Sequence, residues 1–256
     1  MTTSVSIGRS PPLRIEVRHV PVTQSFEWLN RGWDDVKKIG LPGLAHGLLI
    51  AVLGAVLLML GSTHFYLVAA AVTGYLLVGP VMTAGLCELA RRRSAHEAIG
   101  FDESLQGLAR NPEGMLQFSG ILALIALLWF ALSALLLQSV FSASVPSLAV
   151  ALWGGAMDMT PAQTLGYLAC GGVLAAAVFA MSVVAVPLII DRHASASDAI
   201  RISVRATLAN LPAMLVWAGL IVGLTAIGFA TLLLGMVILA PLLGYATWHA
   251  YRDLIA

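Results

Sequence analysis

The stretch DRHASASDAIRISVRATLANLP, residues 191–212, is a short charged island between two long apolar segments. At helical spacing its residues separate into an apolar face and a charged, mainly basic face. The apolar face holds Ile200, Val204, Thr207, Leu208 and Leu211, and the charged face holds Asp198, Arg201 and Arg205. Ser197 is the predicted N-cap, and Pro212 opens the next apolar run, where a missing backbone N–H costs least. Such a helix, directly before a membrane-length segment, is expected to lie in the membrane interface.

The composition is that of a membrane protein. The 256 residues are 59% hydrophobic and only 11% charged, with a mean hydropathy of +0.90, whereas soluble domains carry roughly a quarter charged residues. The apolar residues form continuous blocks that are too long for the core helices of a soluble protein. The formal net charge is +1, and no basic patch is interleaved with aromatic residues, so nucleic-acid binding has no support.

The cysteines and the N-terminal region limit the function further. Cys87 and Cys170 lie in apolar segments, far apart and without metal-ligand spacing, so we expect free buried thiols and predict no metal or cofactor. Residues 1–24 have no apolar core and predict a flexible cytosolic arm, although residues 14–20 alternate weakly like a strand. No cleavable signal peptide is predicted, so the first membrane segment is expected to act as the insertion signal.

The remaining residues, 25–256, predict one all-α membrane domain, a polytopic bundle with six transmembrane helices. The predicted crossings cover about residues 42–60, 65–88, 113–140 and 160–190, followed by two short crossings within 212–251 that turn near Gly228. All 14 Lys and Arg residues lie in the N-terminal region, the Arg91 linker, the Asp191 linker or at Arg252. Six crossings put them on one side, which the positive-inside rule makes cytoplasmic, together with both termini.

The six crossings read as three parallel hairpin repeats. Each unit begins with an amphipathic interfacial helix, and the units cover about residues 25–90, 102–190 and 197–253. Prolines follow the short helices at Pro42, Pro112 and Pro212, and they recur in the returning helices at Pro80, Pro187 and Pro241, where kinks are expected. The returning helices end at Glu88, at Asp191 and at residues 249–253. Two crossings per unit require a repeat axis along the membrane normal. The alternative is that prolines are simply common in membrane helices.

The first short helix repeats the pattern of the opening stretch. Phe26, Leu29, Trp33 and Val36 fall on one face, and acidic and lysine residues lie elsewhere. Trp28 and Trp33 suit headgroup depth, because an amphipathic ring has one apolar side and one polar edge.

Three strings carry a resemblance to a known family: LLVGPVMTAGLCELARRR, AIRISVRATLAN and PLLGYATWHAYRDL. Their matching residues are Gly79, Pro80, Gly85, Glu88, Asp191, Ser203, Arg205, Asn210, Pro241, Gly244, Trp248, His249, Tyr251 and Arg252. They resemble the bacterial integral membrane proteins of domain of unknown function 2189, over most of the chain after the arm. The hairpin pattern is also similar, more weakly, to membrane domains that accompany glycerophosphodiester phosphodiesterases. The resemblance implies the topology and a bacterial inner membrane, but no activity and no catalytic residue.

No catalytic site is predicted. No HExxH, GxSxG, P-loop or GxGxxG motif occurs in a sequence context that would support it. His96 with Glu97, or Asp102 with Glu103, are conceivable acid–base pairs, but a solvated linker face is the favoured interpretation.

A speculative haem site involves two histidines. His46 and His249 fall at similar predicted depth near the cytoplasmic side, which would allow them to act as axial ligands. The favoured alternative is a pair of interfacial imidazoles that bond to backbone or headgroups.

Two further clusters concern lipids and packing. The candidates for anionic headgroup binding are Arg91, Arg92, Arg93, Arg192, Arg201 and Arg205. Topogenic charge explains the same residues equally well. The GxxxG sequences Gly43 to Gly47 and Gly219 to Gly223 predict close helix packing, within the bundle rather than between copies.

The sequence therefore predicts a non-enzymatic membrane scaffold or accessory module, with membrane lipids and other membrane proteins as partners. The alternative is a passive transporter or channel for a small solute or lipid. Ion-coupled transport is disfavoured, because the middle of every predicted helix lacks Asp, Glu, Lys and Arg.

Overall fold

The computed structural model describes residues 15–61, 82–140 and 160–256, which are helical apart from turns and one isolated β-bridge. This confirms the all-helical class for those residues. The helices are α1 (Gln24–Ile39), α2 (Leu41–Gly61), α3 (82–94), α4 (Phe101–Arg110), α5 (Pro112–Val140), α6 (Pro161–Ser182), α7 (Ala185–Arg192), α8 (Ala196–Ala209), α9 (Leu211–Ala230) and α10 (Met236–Leu254). Most of the predicted second crossing and the loop after the third lie outside the described residues.

Three of the described helical segments are long and apolar enough to cross a membrane: Pro112–Trp129, Leu168–Arg192 and Leu211–Ala230. The bent pair of α1 and α2 is a fourth candidate, with 106° between its two helices. α10 is not among them, because its second half is the polar string TWHAYRD. Three or four crossings are thus supported, and the total of six stays a prediction. The turn predicted near Gly228 lies at residues 231–235.

The interior prolines act differently in the two returning helices that are described. α6 ends at Ser182 and α7 begins at Ala185, so the predicted kink at Pro187 is a break in the helix. The break lies one turn before Pro187, where a proline removes a hydrogen bond and its ring crowds the preceding turn. Pro241 lies inside α10, which continues without a break. Pro80 lies outside the described residues.

The short amphipathic helices α1, α4 and α8 are each followed within two residues by a longer apolar helix. The buried faces of α4 and α8 consist largely of small side chains, whereas α1 also buries Trp28, Asp35 and Ile39. α8 buries Ala196, Ala199, Ile202, Ser203, Ala206 and Thr207. Of its other large apolar residues, Ile200 and Val204 are half-buried, and Leu208 points outward and is 61% exposed. The N-cap is Ser195 rather than the predicted Ser197, because the Ser195 hydroxyl accepts the Asp198 N–H at 3.2 Å.

Small residues allow each short helix to approach a returning helix closely. A Cβ at Gly32 of α1 would lie 3.0 Å from the backbone of α10, at Leu242 O. One at Gly107 of α4 would lie 2.9 Å from Ala84 O of α3. On α8, the Ser203 hydroxyl donates to the last turns of α6, at Ala180 O, over 2.7 Å. The core is concentrated where these contacts occur. Its largest buried side chains are Trp28, Phe118, Trp217, Tyr245, Trp248 and Tyr251.

The described part of the N-terminal arm is attached to the C-terminus. The Arg18 N–H donates to Leu254 O at 2.9 Å, and Val17 forms an antiparallel bridge with Ile255. Buried Asn210 accepts the Val20 N–H at 2.9 Å and donates to Arg18 O at 3.0 Å. The prediction of a flexible arm through residue 24 is therefore wrong for residues 15–24, and the weak strand-like pattern there corresponds to the bridge. Both ends of the described chain meet at one end of the bundle.

Asn210→Ala is expected to release residues 15–20 from the bundle. The substitution removes the three side-chain hydrogen bonds to Val20, Arg18 and Ala206, which costs about 1–3 kcal/mol when a buried partner stays unsatisfied. Hydrogen exchange should then accelerate at residues 15–20 and 254–256. Asn30→Ala, at an exposed position of α1, is the matched control. Unchanged protection in the Asn210 variant would contradict the role of this side chain.

Candidate functional site

Glu88 is the buried centre of a charged cluster between α3 and α4. Its side chain is 0% exposed, although it lies on a helix that is apolar on its N-terminal side. Arg91 and Arg92 follow at the third and fourth positions, so one helical turn brings both beside it. Gly107 allows α4 to approach α3, and Arg110 at the end of α4 then reaches the same carboxylate.

Five hydrogen bonds converge on the Glu88 carboxylate. Arg91 donates from Nε to Oε2 and from Nη2 to Oε1, both at 2.9 Å. Arg92 Nε donates to Oε1 at 2.8 Å. Arg110 donates from Nε to Oε2 at 2.8 Å and from Nη2 to Oε1 at 3.2 Å. Because both oxygens accept from arginines, the arrangement requires the ionised carboxylate.

An outer layer engages the same arginines further. Arg91 also donates to Glu97, at 2.9 Å and 2.6 Å, and Arg92 donates to Gln106 at 2.7 Å. The hydrogen bonds with Glu88 and Glu97 raise the pKa of the Arg91 guanidinium. The bond from Arg91 lowers the pKa of the Glu97 carboxyl. The side chains of Arg91 and Arg92 are only 13% and 12% exposed, so they face protein partners more than solvent.

A second polar network joins α1 to the end of α10. Asp253 accepts hydrogen bonds from Gln24 Nε2 at 2.8 Å, Trp28 Nε1 at 2.9 Å and Arg31 Nη1 at 3.2 Å. Buried Asp35 of α1 lies 2.8 Å from His249 Nε2. Asp35 also pairs with Arg93 of α3. This network therefore holds α1, α3 and α10 together.

A third set of bonds ties the end of α7 to its neighbours. The Tyr251 hydroxyl of α10 donates to Asp191 at 2.6 Å. Asn111, just before α5, donates to Ala194 O at 2.9 Å. Glu88, Asp191 and Asp253, at the ends of the three returning helices, therefore all accept hydrogen bonds from other helices. The sequence located these acids correctly, but their partners Arg110, Arg31 and Tyr251 were missed.

The six candidate arginines divide into two groups. Arg91, Arg92 and Arg93 are engaged within the chain by the acids described above. Arg192, Arg201 and Arg205 are exposed. Arg192 lies 3.5 Å from Asp191, and Arg201 donates to Asp198 on the same helix at 2.6 Å. This exposed group is the one that an external ligand can reach.

The two histidines have separate protein partners. His46 is buried, with Nδ1 3.0 Å from Pro42 O and Nε2 3.3 Å from the Ser104 hydroxyl. His249 Nε2 faces Asp35, as described above. The ring nitrogens of His46 therefore have no open direction for iron, and this geometry favours the interpretation of bonded imidazoles. In the described ranges, no group of three or more His, Cys, Asp or Glu side chains is placed to hold a metal ion.

The acid–base pairs considered from the sequence lie on the exposed surface of the protein. His96 and Asp102 are exposed, and Glu97 bonds to Arg91. Asp102 and Glu103 occupy the first turn of α4, where acids stabilise the positive end of the helix. These positions agree with a solvated linker face.

The two GxxxG sequences have different surroundings. A Cβ at Gly47 would lie 2.7 Å from the Val237 carbonyl carbon of α10, and one at Gly43 would lie 3.1 Å from Tyr245 Cζ. The first motif therefore packs α2 against α10, as predicted. Gly219 and Gly223 are exposed and have no atom within 4 Å of such a Cβ in the described part of the chain. Packing of this second motif within the bundle therefore stays a prediction.

Residues 67–191 match the family model described as "Predicted integral membrane protein (DUF2189)". The match confirms the resemblance over this range, which contains Gly79, Pro80, Gly85, Glu88 and Asp191. The other two strings that carry the resemblance, in α8 and α10, lie outside this range. No curated protein and no solved structure matched the chain significantly, so the phosphodiesterase-associated similarity has no support. The chain is an integral membrane protein with several apolar helices, and the family description assigns it no activity.

Proposed function

We propose that the chain is a non-enzymatic scaffold or accessory module of the bacterial inner membrane. It contacts anionic lipids or partner subunits at its cytosolic side. In this proposal the chain crosses the membrane six times as three parallel hairpins, each preceded by an interfacial helix, and both termini are cytosolic.

The observation that carries the proposal is the order of faces around α1, α4 and α8. At 100° per residue, each has a buried packing face, then an exposed or half-buried apolar edge, then a charged face, in the same rotational sense. The packing faces include Trp28 and Gly32, Ser104 and Gly107, and Ser203 and Ala206. The apolar edges include Phe26 and Trp33, Phe101 and Leu105, and Val204 and Leu208. The charged faces include Asp34 and Lys38, Asp102 beside the polar Gln106, and Arg201 and Arg205. A helix with protein at its side, lipid below and water above needs three such faces.

The common rotational sense also supports the repeat. Three helices with the same order of faces run around the bundle in the same direction, as rotation about the membrane normal requires. α4 packs on α3 of the first unit, α8 on α6 of the second, and α1 on α10 of the third. Each short helix thus contacts the returning helix of the preceding unit, which gives a closed ring of three.

The polar contacts support a structural role for the charged side chains. Glu88 and Asp253 accept hydrogen bonds from arginines of other helices, and Asp35 pairs with Arg93 and His249. Groups held in this way stabilise the arrangement of the helices. This use of the acids favours a scaffold over an enzyme.

The topology makes a direct prediction. Because Arg18 and Leu254 are hydrogen bonded, residues 15–20 and the C-terminus lie on one side, which an even number of crossings explains. Reporters fused after Ala256 and within residues 94–111 are expected to be active on the cytoplasmic side, in keeping with the positive-inside rule. Either reporter on the outer side would overturn the proposed threading.

The functional test is a gentle extraction. We expect anionic phospholipid or a partner subunit to remain bound to the full chain after purification in mild detergent. A preparation that has the native topology but retains neither would overturn the scaffold proposal.

A passive transporter is the second candidate, because the bundle contains a cavity. It measures about 210 Å³ and lies between α2, α3, α9 and α10. Its walls are mainly apolar, with the hydroxyls of Thr83 and Thr247 among them. Liposome flux assays discriminate the two candidates. Flux of a small solute above that of protein-free liposomes would favour the transporter, whereas a broad panel without flux favours the scaffold.

A further inference from the structure

We infer that the exposed basic edge of α8, formed by Arg201 and Arg205, binds the phosphodiester headgroup of an anionic phospholipid. The acyl chains of this lipid lie along the outer face of α9. The inference rests on the proposed interfacial position of α8, and it assigns a ligand class and a place to the lipid contact.

The two arginines lie at the height of α8 that suits contact with lipid headgroups. They are one turn apart, on the part of the charged face that borders the apolar edge with Val204 and Leu208. When the apolar edge of an interfacial helix enters the bilayer, residues at this boundary lie at headgroup depth. The side chain of Arg201 is 52% exposed, and Arg205 is an exposed residue. Guanidinium groups at that depth meet the lipid phosphates, which they bind in a bidentate manner.

Arg201 and Arg205 can bind an external ligand, whereas the arginines around Glu88 are already bound within the chain. Arg91, Arg92 and Arg110 share the buried Glu88 and face protein acceptors. Arg205 forms no ion pair with any residue that the structure describes. Arg201 bonds to Asp198 through Nη2, and Asp198 itself is engaged by the Ser195 cap. The exposed side of α8 therefore offers a local positive charge to an anion.

An apolar path continues from the arginines into the membrane. Leu208 at the end of α8 is followed by Leu211 and Leu215 of α9, and Leu215 is 70% exposed. Val222, two turns further along the same face, is also exposed. Because α9 is a candidate membrane span, acyl chains along these residues would extend from a headgroup at Arg205. A positive edge joined to an apolar stripe matches both parts of an anionic phospholipid, whereas a free phosphate ion would use only the arginines.

The other short helices lack this combination. The boundary of α4 carries Asp102, and the corresponding Lys37 of α1 is paired with Asp34 at 2.7 Å. Arg201 of α8 has a similar pair with Asp198, but α8 adds Arg205 one turn further on. A general attraction between the cytosolic side and the membrane would not distinguish these helices. The structure therefore singles out α8.

The test measures binding of phosphatidylglycerol to the purified full chain by native mass spectrometry, with phosphatidylcholine as the neutral lipid. The double variant Arg201→Gln with Arg205→Gln is expected to bind phosphatidylglycerol roughly thirtyfold more weakly, at about fivefold per basic residue. Arg201→Lys with Arg205→Lys keeps the charge but loses the bidentate geometry, so an intermediate loss is expected. Phosphatidylcholine binding should not change.

The matched control is Lys38→Gln with Arg252→Gln, which removes the same charge from exposed positions on α1 and α10. This control is expected to bind phosphatidylglycerol like the parent chain. An equal loss in both double variants would assign the binding to diffuse attraction and overturn the site. Displacement of the lipid by millimolar inorganic phosphate would overturn the lipid assignment in favour of a free anion.

A second measurement does not depend on how the variants fold. Photoactivatable phosphatidylglycerol, added to the unmodified chain, is expected to crosslink preferentially to residues 201–222. Adducts spread evenly over the lipid-facing helices would overturn the site. If lipid is retained elsewhere on the chain but not at α8, the site fails and the scaffold proposal stands. If solute flux appears while α8 still binds lipid, only the scaffold proposal fails.

Discussion

Replacement of Gly47 by alanine is expected to separate α2 from α10 and to cause the largest loss of stability of any single glycine substitution in the described helices. The added Cβ would lie 2.7 Å from the Val237 carbonyl carbon and 2.8 Å from its Cα, and closer still to the oxygen. These are backbone atoms, so no side-chain rotation relieves the clash. Overpacking typically costs about 1–3 kcal/mol, and we expect the upper end or more. Denaturant titration of the purified chain measures it.

The neighbouring Pro241 explains why the helices meet there. Proline has no N–H, so the Val237 carbonyl, four residues earlier in α10, loses its normal donor. In Gly47 a hydrogen takes the place of Cβ and points at this carbonyl oxygen. A Cα–H···O contact is worth about 0.5–1 kcal/mol, and it partly compensates the freed acceptor. Gly47 and Pro241 therefore act as a pair, although the sequence separates them widely.

The other GxxxG glycines provide graded controls. Gly43→Ala should destabilise less than Gly47→Ala, because its Cβ meets the far end of the Tyr245 side chain, which can shift. Gly219→Ala and Gly223→Ala meet no described atom within 4 Å. They should be neutral or stabilising by up to about 1 kcal/mol, the propensity difference between the two residues. Equal losses at Gly47 and Gly219 would contradict this reading of the packing.

The sequence predicts well where the helices begin along the chain, but it predicts poorly which face of a helix packs against protein. The reason is physical. Proline and capping residues next to apolar blocks determine where α5 and α9 begin, and the predicted starts are within one residue of the structure. Hydrophobicity cannot tell a lipid-facing leucine from a packed one, because both surroundings are apolar. On α8, Leu208 faces outward while Ile202 packs among small residues, which the apolar pattern alone does not show. The sequence predicts Ser197 as the N-cap of α8, whereas the backbone geometry identifies Ser195, two residues earlier.

The charged cluster shows a different limit. Sequence spacing places Arg91 and Arg92 beside Glu88, since they are neighbours on one helix. It does not reveal that Arg110 joins them from α4 or that Arg93 pairs with Asp35 of α1. Those pairs depend on how helices pack. An arginine cluster at a helix end therefore suggested lipid binding, whereas the structure assigns these three arginines to internal acids.

Glu88→Gln is expected to be the most destabilising substitution in the charged cluster. The change removes the negative charge shared by Arg91, Arg92 and Arg110, and it leaves one acceptor oxygen where two accepted five hydrogen bonds. Removal of one partner from a buried ion pair costs about 3–5 kcal/mol, because the other charge stays buried without compensation. The free energy of unfolding in denaturant and the amount of folded chain after extraction should both fall. Loss of the contact between α3 and α4 should appear as faster hydrogen exchange in residues 101–110.

The origin of this effect is tested by removing a cation as well. In the double variant Glu88→Gln with Arg110→Gln, one of the three guanidinium groups that lost the Glu88 charge disappears. We expect the double variant to be more stable than Glu88→Gln alone, with a coupling of about 1–3 kcal/mol between the sites. Glu97→Gln is the matched control, since Glu97 is 41% exposed and binds the same Arg91, and it should lose little because exposed pairs contribute little. If Glu97→Gln proved as damaging as Glu88→Gln, burial would not be what makes Glu88 important. If the double variant were no more stable than Glu88→Gln, uncompensated positive charge would not be the cause of the loss.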